Sequence, residues 1–269
     1  MKENKRVFSR RRTVLTVLGL VAAVAVVAGL AFGYTTLRAL WLEQCVIADM
    51  ERQVSITSGK MVKADVLAEL FGLKPGANLA QIDFRARRAE ALRRIPNLRS
   101  ISVSRHLPDR VSIVTEERKP VARMSYRNWK PLTGRVVDGD GIVFECIPGT
   151  SMLPVIRENG APGTPRGHRV EGHALAALQL VEMCREPEFQ SLGLLEVSLA
   201  KPDYLVATLG TYSKAKIAWE GMPAETAEAR ANLRRQLTHL VQAIGTRIAD
   251  GVVTWDATDL SKPGRVYAK

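Results

Sequence analysis

From Thr13 to Leu37 the chain runs for twenty-five residues without a charged side chain. Wound as a helix at about 1.5 Å per residue, this run reaches roughly 37 Å, more than the ~30 Å of hydrocarbon in a bilayer. One transmembrane helix over residues 13–37 is therefore expected. Lys2, Lys5, Arg6, Arg10, Arg11 and Arg12 precede it against the single acid Glu3. Basic flanks are retained in the cytoplasm, so residues 1–12 read as a cytoplasmic tail and everything after the helix as extracytoplasmic. A cleaved secretory signal would carry an apolar core of roughly 7–15 residues followed by a small-residue site. Ser9-Arg10-Arg11-Arg12 faintly echoes a twin-arginine signal, but Phe32-Gly33-Tyr34 stands where the cleavage site would fall. The helix reads as an uncleaved anchor, with Phe32, Tyr34 and Trp41 as an outer aromatic belt.

Beyond the helix lie 232 of the 269 residues, enough for two small domains with their own cores. The whole chain carries a formal +12, and about +7 remains once the tail's six bases and one acid are removed. No basic stripe is interleaved with aromatics and the domains lie outside the cytoplasm, which argues against nucleic acid. The excess reads as a solvated basic surface that could attract an anionic membrane leaflet. Cys45, Cys146 and Cys184 are odd in number and lack CxxC spacing, so neither a zinc site nor a thioredoxin-like motif is indicated. Whether Cys146 and Cys184 pair is left open. Cys45 follows Leu42-Glu43-Gln44, which lacks the small residues of a lipoprotein box, and reads as part of a helical stalk over residues 38–52 with sparse apolar positions at Leu40, Ile47 and Met50.

After the stalk, Gln53 to Ile56 is a strand candidate. Val62, Val66, Leu67, Leu70 and Phe71 then recur at helical spacing until Gly72 and Pro75-Gly76 stop the helix. A second helix is expected from Asp83 as N-cap to Pro96, with Arg85, Arg87, Arg88, Arg93 and Arg94 on its wet side. A hairpin follows, Ile101 and Val103 facing inward on one strand and Val111 and Ile113 on the other, joined across Leu107-Pro108-Asp109. The order is strand, helix, helix, strand, strand: two helices on a three-stranded sheet.

This order carries Gly72-Leu73-Lys74-Pro75-Gly76-Ala77-Asn78-Leu79, Leu92-Arg93-Arg94-Ile95-Pro96-Asn97-Leu98, Arg105-His106-Leu107-Pro108-Asp109-Arg110-Val111 and Glu117-Arg118-Lys119-Pro120-Val121-Ala122. Together the four runs resemble the POTRA domain of the FtsQ/DivIB family of cell-division proteins. The resemblance implies a POTRA-like domain over residues 53–120 and a C-terminal β domain over 121–269. Within the latter, residues 134–145 read as strand, Asp/Gly turn and strand, similar to the family's hairpin, and Leu153-Pro154-Val155-Ile156 resembles its following segment. Residues 158–169 read as a loop.

An amphipathic helix is expected over 173–185, with Leu175, Leu178, Val181 and Glu182 marking its two faces. Strands follow at 194–197 and 204–209, joined by Lys201-Pro202-Asp203. The longest helix outside the membrane is expected over 224–249, with Leu233, Leu237, Leu240, Val241 and Ile244 inward. Strands at 252–259 and 265–267 end the reading. Asp259-Leu260, Pro263-Gly264 and Val266 are similar to the family's C-terminal strand motif, with Ser261 where the family has arginine. The expected fold is α+β: one N-terminal transmembrane helix, a POTRA-like β-α-α-β-β domain, and a β-rich domain with a long helix.

Catalysis finds little support. Ser151-Met152-Leu153-Pro154 echoes the serine run of membrane-anchored Ser/Lys peptidases, but no Val-Lys-Arg box follows and the nearest downstream lysines are Lys201, Lys214 and Lys216. His168 and His173 lack HExxH or HxH spacing, so no metal is expected; His106 and His239 read as packed or surface residues. Gly134, Gly139 and Gly141 have no Gly-Lys-Thr after them and form turns, so no cofactor and no small-molecule substrate are implied.

Partner binding remains, through an unpaired strand edge that an incoming segment extends. The resemblance implies a non-enzymatic hub in the inner membrane at the division septum, binding the bitopic proteins FtsB and FtsL through its C-terminal strands and the preceding helix. Carried onto this sequence, it nominates Val253, Trp255, Asp259, Leu260, Val266 and Tyr267, with Arg230, Arg234 and Arg235 on the helix. The rival expectations are a POTRA-bearing protein of secretion or envelope assembly, and the anchored hydrolase.

Overall fold

A computed structural model of the chain describes residues 3–126, 134–158, 163–210, 213–219, 221–247, 254–258 and 267–268. The chain opens with α1 (Glu3–Gln44), a single helix of 42 residues. Its segment Ala23–Gln44 is long and apolar enough to cross a membrane, and none of that segment is buried. The helix continues beyond the uncharged run as far as Gln44 and stops there. The short α2 (Met50–Gln53) follows, opened by Asp49, whose carboxylate accepts from the backbone N–H groups of Glu51 and Arg52.

The chain divides into two compact units, one of residues 1–57, 64–88 and 102–114, the other of 58–63, 89–101 and 115–269. In the first, β1 (Val54–Thr57) is followed by α3 (Ala64–Phe71), which turns Leu67 and Phe71 inward. Gly72 ends α3 in the left-handed region, φ +70°, a conformation that lets the Leu73 N–H reach back 2.8 Å to the Ala68 carbonyl. α4 (Phe84–Arg94) starts where expected: Asp83 accepts from Arg85 N and Ala86 N at 3.0 Å each. Phe84 is buried, its ring 6.2 Å from that of Phe71. β2 (Leu98–His106) and β3 (Arg110–Glu117) form the hairpin, with a cis Leu107–Pro108 peptide in its turn. The three-stranded sheet has the order β1-β3-β2, and β1 runs parallel to β3 with Val54 opposite Val111 and Thr57 opposite Val114.

The second unit is built on nine strands. β4 (Pro120–Tyr126), β5 (Arg135–Asp138) and β6 (Val143–Glu145) make an antiparallel run that includes the expected hairpin. β7 (Val155–Glu158) lies parallel to β4, and α5 (Gly172–Cys184) carries the chain over to β8 (Glu196–Ser198), parallel to β7. β9 (Tyr204–Thr208) and β10 (Lys214–Ala218) follow antiparallel, and α6 (Ala227–Arg247) returns the chain to β11 (Thr254–Ala257), parallel to β10. β12 (Tyr267–Ala268) pairs antiparallel with β11, and the sheet order is β12-β11-β10-β9-β8-β7-β4-β5-β6. Each long helix is thus the crossover that a parallel strand pair requires.

Both helices contribute to one core with the sheet, including Met124, Ile156, Leu178, Val197, Leu205, Ile217, Leu233, Leu237 and Trp255. Two expectations change here. α5 is not amphipathic: nine of its thirteen residues are buried, because β4 and β7 lie against it on one side and the short turn Met222–Ala224 packs on it as well. β10, where the sequence reading placed no element, is a full member of the sheet, although Ile217 is the one strongly apolar residue of its Lys-Ala-Lys-Ile-Ala sequence. The three cysteines are buried and free.

Within the second unit the corner between β3 and β4 is fixed by polar groups. The Glu117 carboxylate accepts from the backbone N–H groups of Lys60, Met61 and Val62 at 3.0, 2.8 and 2.8 Å. Arg118 donates to the Pro96 carbonyl at 3.0 Å and to Asp138 at 2.6 Å, and the other Asp138 oxygen accepts from Ile142 N at 2.8 Å.

Candidate functional site

A site that recruits an incoming strand needs an open edge backed by a rigid sheet. β12 closes the strand order at one end, so one side of its backbone has no strand beside it among the described residues. The register places Tyr267 opposite Asp256 and Ala268 opposite Trp255. β11 behind it is held on both faces. Trp255 is 3% exposed in the core with Leu233 and Leu237 of α6. Asp256, on the opposite face, accepts from Thr258 Oγ1 at 2.7 Å and Thr258 N at 3.2 Å, and lies 3.5 Å from the Lys216 ammonium on β10. Burial alone would push the Asp256 carboxyl up; the bonds from Thr258 and the Lys216 charge outweigh it and hold it below the usual carboxylate range. A second cross-strand pair, Arg157 to Glu196 at 2.6 Å, lies between β7 and β8. These pairs stiffen the sheet away from its helices.

The structure places the nominated residues in different settings. Val253, Asp259, Leu260 and Val266 lie outside the described residues. Tyr267 is in β12 itself. Trp255 is a core residue beneath the edge. On α6, Arg230 and Arg234 are drawn to the turn after α5: Arg230 reaches Glu186 at 3.1 Å, and Arg234 contacts Glu186, reaches Glu188 at 2.9 Å and stands 5.7 Å over the buried Phe189 ring. Arg235 is exposed and donates to Asn232. The structure therefore brings Arg230 and Arg234 together as a latch between α6 and the end of α5. Sequence reasoning missed the partners of this latch, although Glu186-Pro187-Glu188-Phe189 shows two acids and an aromatic directly after a helix.

Desolvation pulls the Glu186 carboxyl upward, but the hydrogen bonds and charges of Arg230 and Arg234 outweigh it and hold it below the usual glutamate range. A carboxyl whose folded value lies below its unfolded one stabilises fully above the ordinary range and stops doing so as the pH falls through the folded value. Glu186→Gln is therefore expected to lower the thermal midpoint by about 1–3 °C at neutral pH, with the gap closing below about pH 4. Thermal melts of both proteins across that range check it; a gap independent of pH would mean that the latch is not ionic.

Other candidates for chemistry are placed as follows. Ser151 is exposed in the turn before β7, and Lys216 is engaged with Asp256. His173 meets Trp219 edge to face with ring centres 4.0 Å apart, and His168 Nδ1 lies 3.1 Å from the Arg166 carbonyl. Among the described residues no group of three or more His, Cys, Asp or Glu side chains could hold a metal ion.

Residues 51–118 match the model of the POTRA domain, FtsQ-type. Two curated relatives are the cell division protein FtsQ of Neisseria meningitidis serogroup B and that of Neisseria gonorrhoeae. Each is 37% identical over 115 residues, which is 42% of this chain and 44% and 43% of the respective relatives. The match thus spans less than half the length of those relatives. Behind an apolar helix of membrane-spanning length the chain thus carries an FtsQ-type POTRA domain, and over 42% of its length it is similar to cell division protein FtsQ.

Proposed function

We propose that this protein is a non-enzymatic, bitopic scaffold of the bacterial divisome, which binds FtsB/FtsL-like membrane proteins and so coordinates septal wall synthesis. Its basic N-terminal tail faces the cytoplasm, α1 crosses the inner membrane once, and both compact units lie in the periplasm at the septum. The observation that carries the reading is the position of β12 as the outermost strand of a nine-stranded sheet, in a chain with an FtsQ-type POTRA domain. A strand edge supplies backbone donors and acceptors that a partner strand completes, while alternate side chains discriminate between partners. Tyr267 is the residue of the nominated set that stands on that strand, and Trp255 anchors the neighbouring strand β11 in the core. Arg235 belongs to the exposed surface available to a partner, whereas Arg230 and Arg234 act by keeping α6 in place.

The test is the location of a fluorescently tagged copy in dividing cells, beside a copy truncated after Ala224. A band of the full chain at the division plane, weakened in the truncated copy, is the expected result. An even distribution of the full chain around the envelope would sink the division assignment and favour the POTRA-bearing secretion reading.

A further inference from the structure

The root of α1 is built into the first unit rather than joined to it by a linker. Asn78 Nδ2 caps the helix by donating to the Leu42 carbonyl at 2.7 Å. Ile47 N donates to Ala77 O, Gly76 N to Ile47 O and Leu79 N to Cys45 O, at 2.8, 2.8 and 2.9 Å. Cys45 and Ile47 are fully buried, while α1 remains exposed through Trp41. The unit therefore begins where the helix ends instead of flanking it. Arg38, the first charge after the apolar run, is only six residues before Gln44. At 1.5 Å per residue that is about 9 Å, close to the depth of one headgroup layer. The end of the unit that carries the root therefore sits at the membrane surface.

The topology identifies what else is at that end. The Gln53 side chain accepts from Ala48 N and Asp49 N at 2.7 Å each, which fixes the start of β1 beside the root. Val54, the first residue of β1, is in parallel register with Val111, so the start of β3 is at the same end, and with it the β2–β3 turn. That turn presents Leu107, which is 50% exposed, between the exposed Arg105 and Arg110. Lys74 is exposed two residues before Gly76, on the loop bonded to the root. A lone exposed leucine is ordinary. Leu107 differs in being placed at the membrane end with cations on either side, the pattern by which a peripheral segment lays an apolar side chain among headgroups while its bases meet lipid phosphates.

We propose that the β2–β3 hairpin tip, with Leu107 inserted and Arg105, Arg110 and Lys74 around it, is a second membrane contact that docks on anionic phospholipid headgroups of the leaflet from which α1 emerges. Helix and tip together would hold the first unit at a defined attitude to the bilayer.

The test places a photocrosslinking benzoylphenylalanine at position 107 of the full-length protein, reconstituted in nanodiscs of phosphatidylglycerol and phosphatidylethanolamine, with lipid adducts read by mass spectrometry. The same probe at Val114, at the opposite end of the β1–β3 pairing and also exposed, is the control. Lipid adducts at 107 but not at 114 are expected, falling several-fold in Arg105→Glu/Arg110→Glu. Because that variant also changes the hairpin itself, the unsubstituted probe protein is measured in phosphatidylcholine nanodiscs as well, where the same fall is expected. Absence of adducts at 107, equal adducts at 107 and 114, adducts indifferent to lipid charge, or crosslinks to protein instead of lipid would each overturn the proposal.

Discussion

Exchanging Arg118 for methionine is expected to lower the unfolding free energy by about 3–5 kcal/mol, the largest loss anticipated for a polar residue of this protein. The Asp138 side chain is only 5% exposed and that of Arg118 15%, so removing the guanidinium leaves a carboxylate with little access to water. Ile142 N–H remains as a donor to one oxygen, but the other loses its 2.6 Å partner. The carbonyl of Pro96 loses its donor as well. Adding Asp138→Asn should recover a substantial part of the loss, since the amide carries no charge and its oxygen can still accept from Ile142. Urea unfolding of the single and double variants, read by circular dichroism, measures both numbers. A single-variant loss under about 1 kcal/mol would mean that water reaches the pair and that it behaves as a surface ion pair.

The second large effect concerns the recruitment proposed for β12. Proline at position 267 or 268 is expected to weaken capture of an FtsB/FtsL-like partner by about tenfold or more, while Tyr267→Ala weakens it less. Successive N–H groups of a strand point to opposite edges. One proline therefore removes a donor from the open edge and puts its ring in the path of the incoming strand. The other breaks the pairing with β11 and releases the strand itself. Hydrogen exchange in β11 separates the two, because only the second should loosen it. Co-purification of the full chain with its partner, variant by variant, reads the affinity. If the alanine variant loses as much as the prolines, side-chain recognition and not backbone pairing carries the contact; if none of the three changes binding, the edge is not the site.

Much of this architecture was legible in the residues because its signals are local. An uncharged run of membrane length, the aspartate before α4, the alternation through Ile101, Val103, Val111 and Ile113, and the Asp/Gly turn between β5 and β6 each depend on neighbours a few residues away. The four ordered runs around Gly72, Leu92, Arg105 and Glu117 pointed to the same family as the matched POTRA domain. The long helix was likewise visible, since Leu233, Leu237 and Leu240 repeat at helical spacing and are all buried.

What escaped that reading depends on partners distant in sequence. β10 looks too rich in lysine for a central strand until Asp256, forty residues later, is seen to receive Lys216. α5 looks two-faced because Glu182 interrupts its apolar residues, yet the sheet and the turn at Met222–Ala224 cover most of it. Arg230 and Arg234 look like free surface charges until the acids at 186 and 188 fold against them. The stalk over residues 38–52 looks like one continuous helix, yet the helix ends at Gln44 and the loop at 76–79 bonds to Cys45 and Ile47.

The sequence by itself determined an apolar run of membrane-spanning length, the β-α-α-β-β order from β1 to β3 and the FtsQ-type character of that segment, because periodicity, charge and turn chemistry act over short stretches of chain. Only the tertiary structure decided which strands are neighbours, that both long helices serve parallel crossovers, which arginines are occupied, and that the β2–β3 tip shares an end of the sheet with the root of α1. Those relations are fixed by hydrogen-bond register and by burial, which depend on groups that the linear order keeps tens of residues apart.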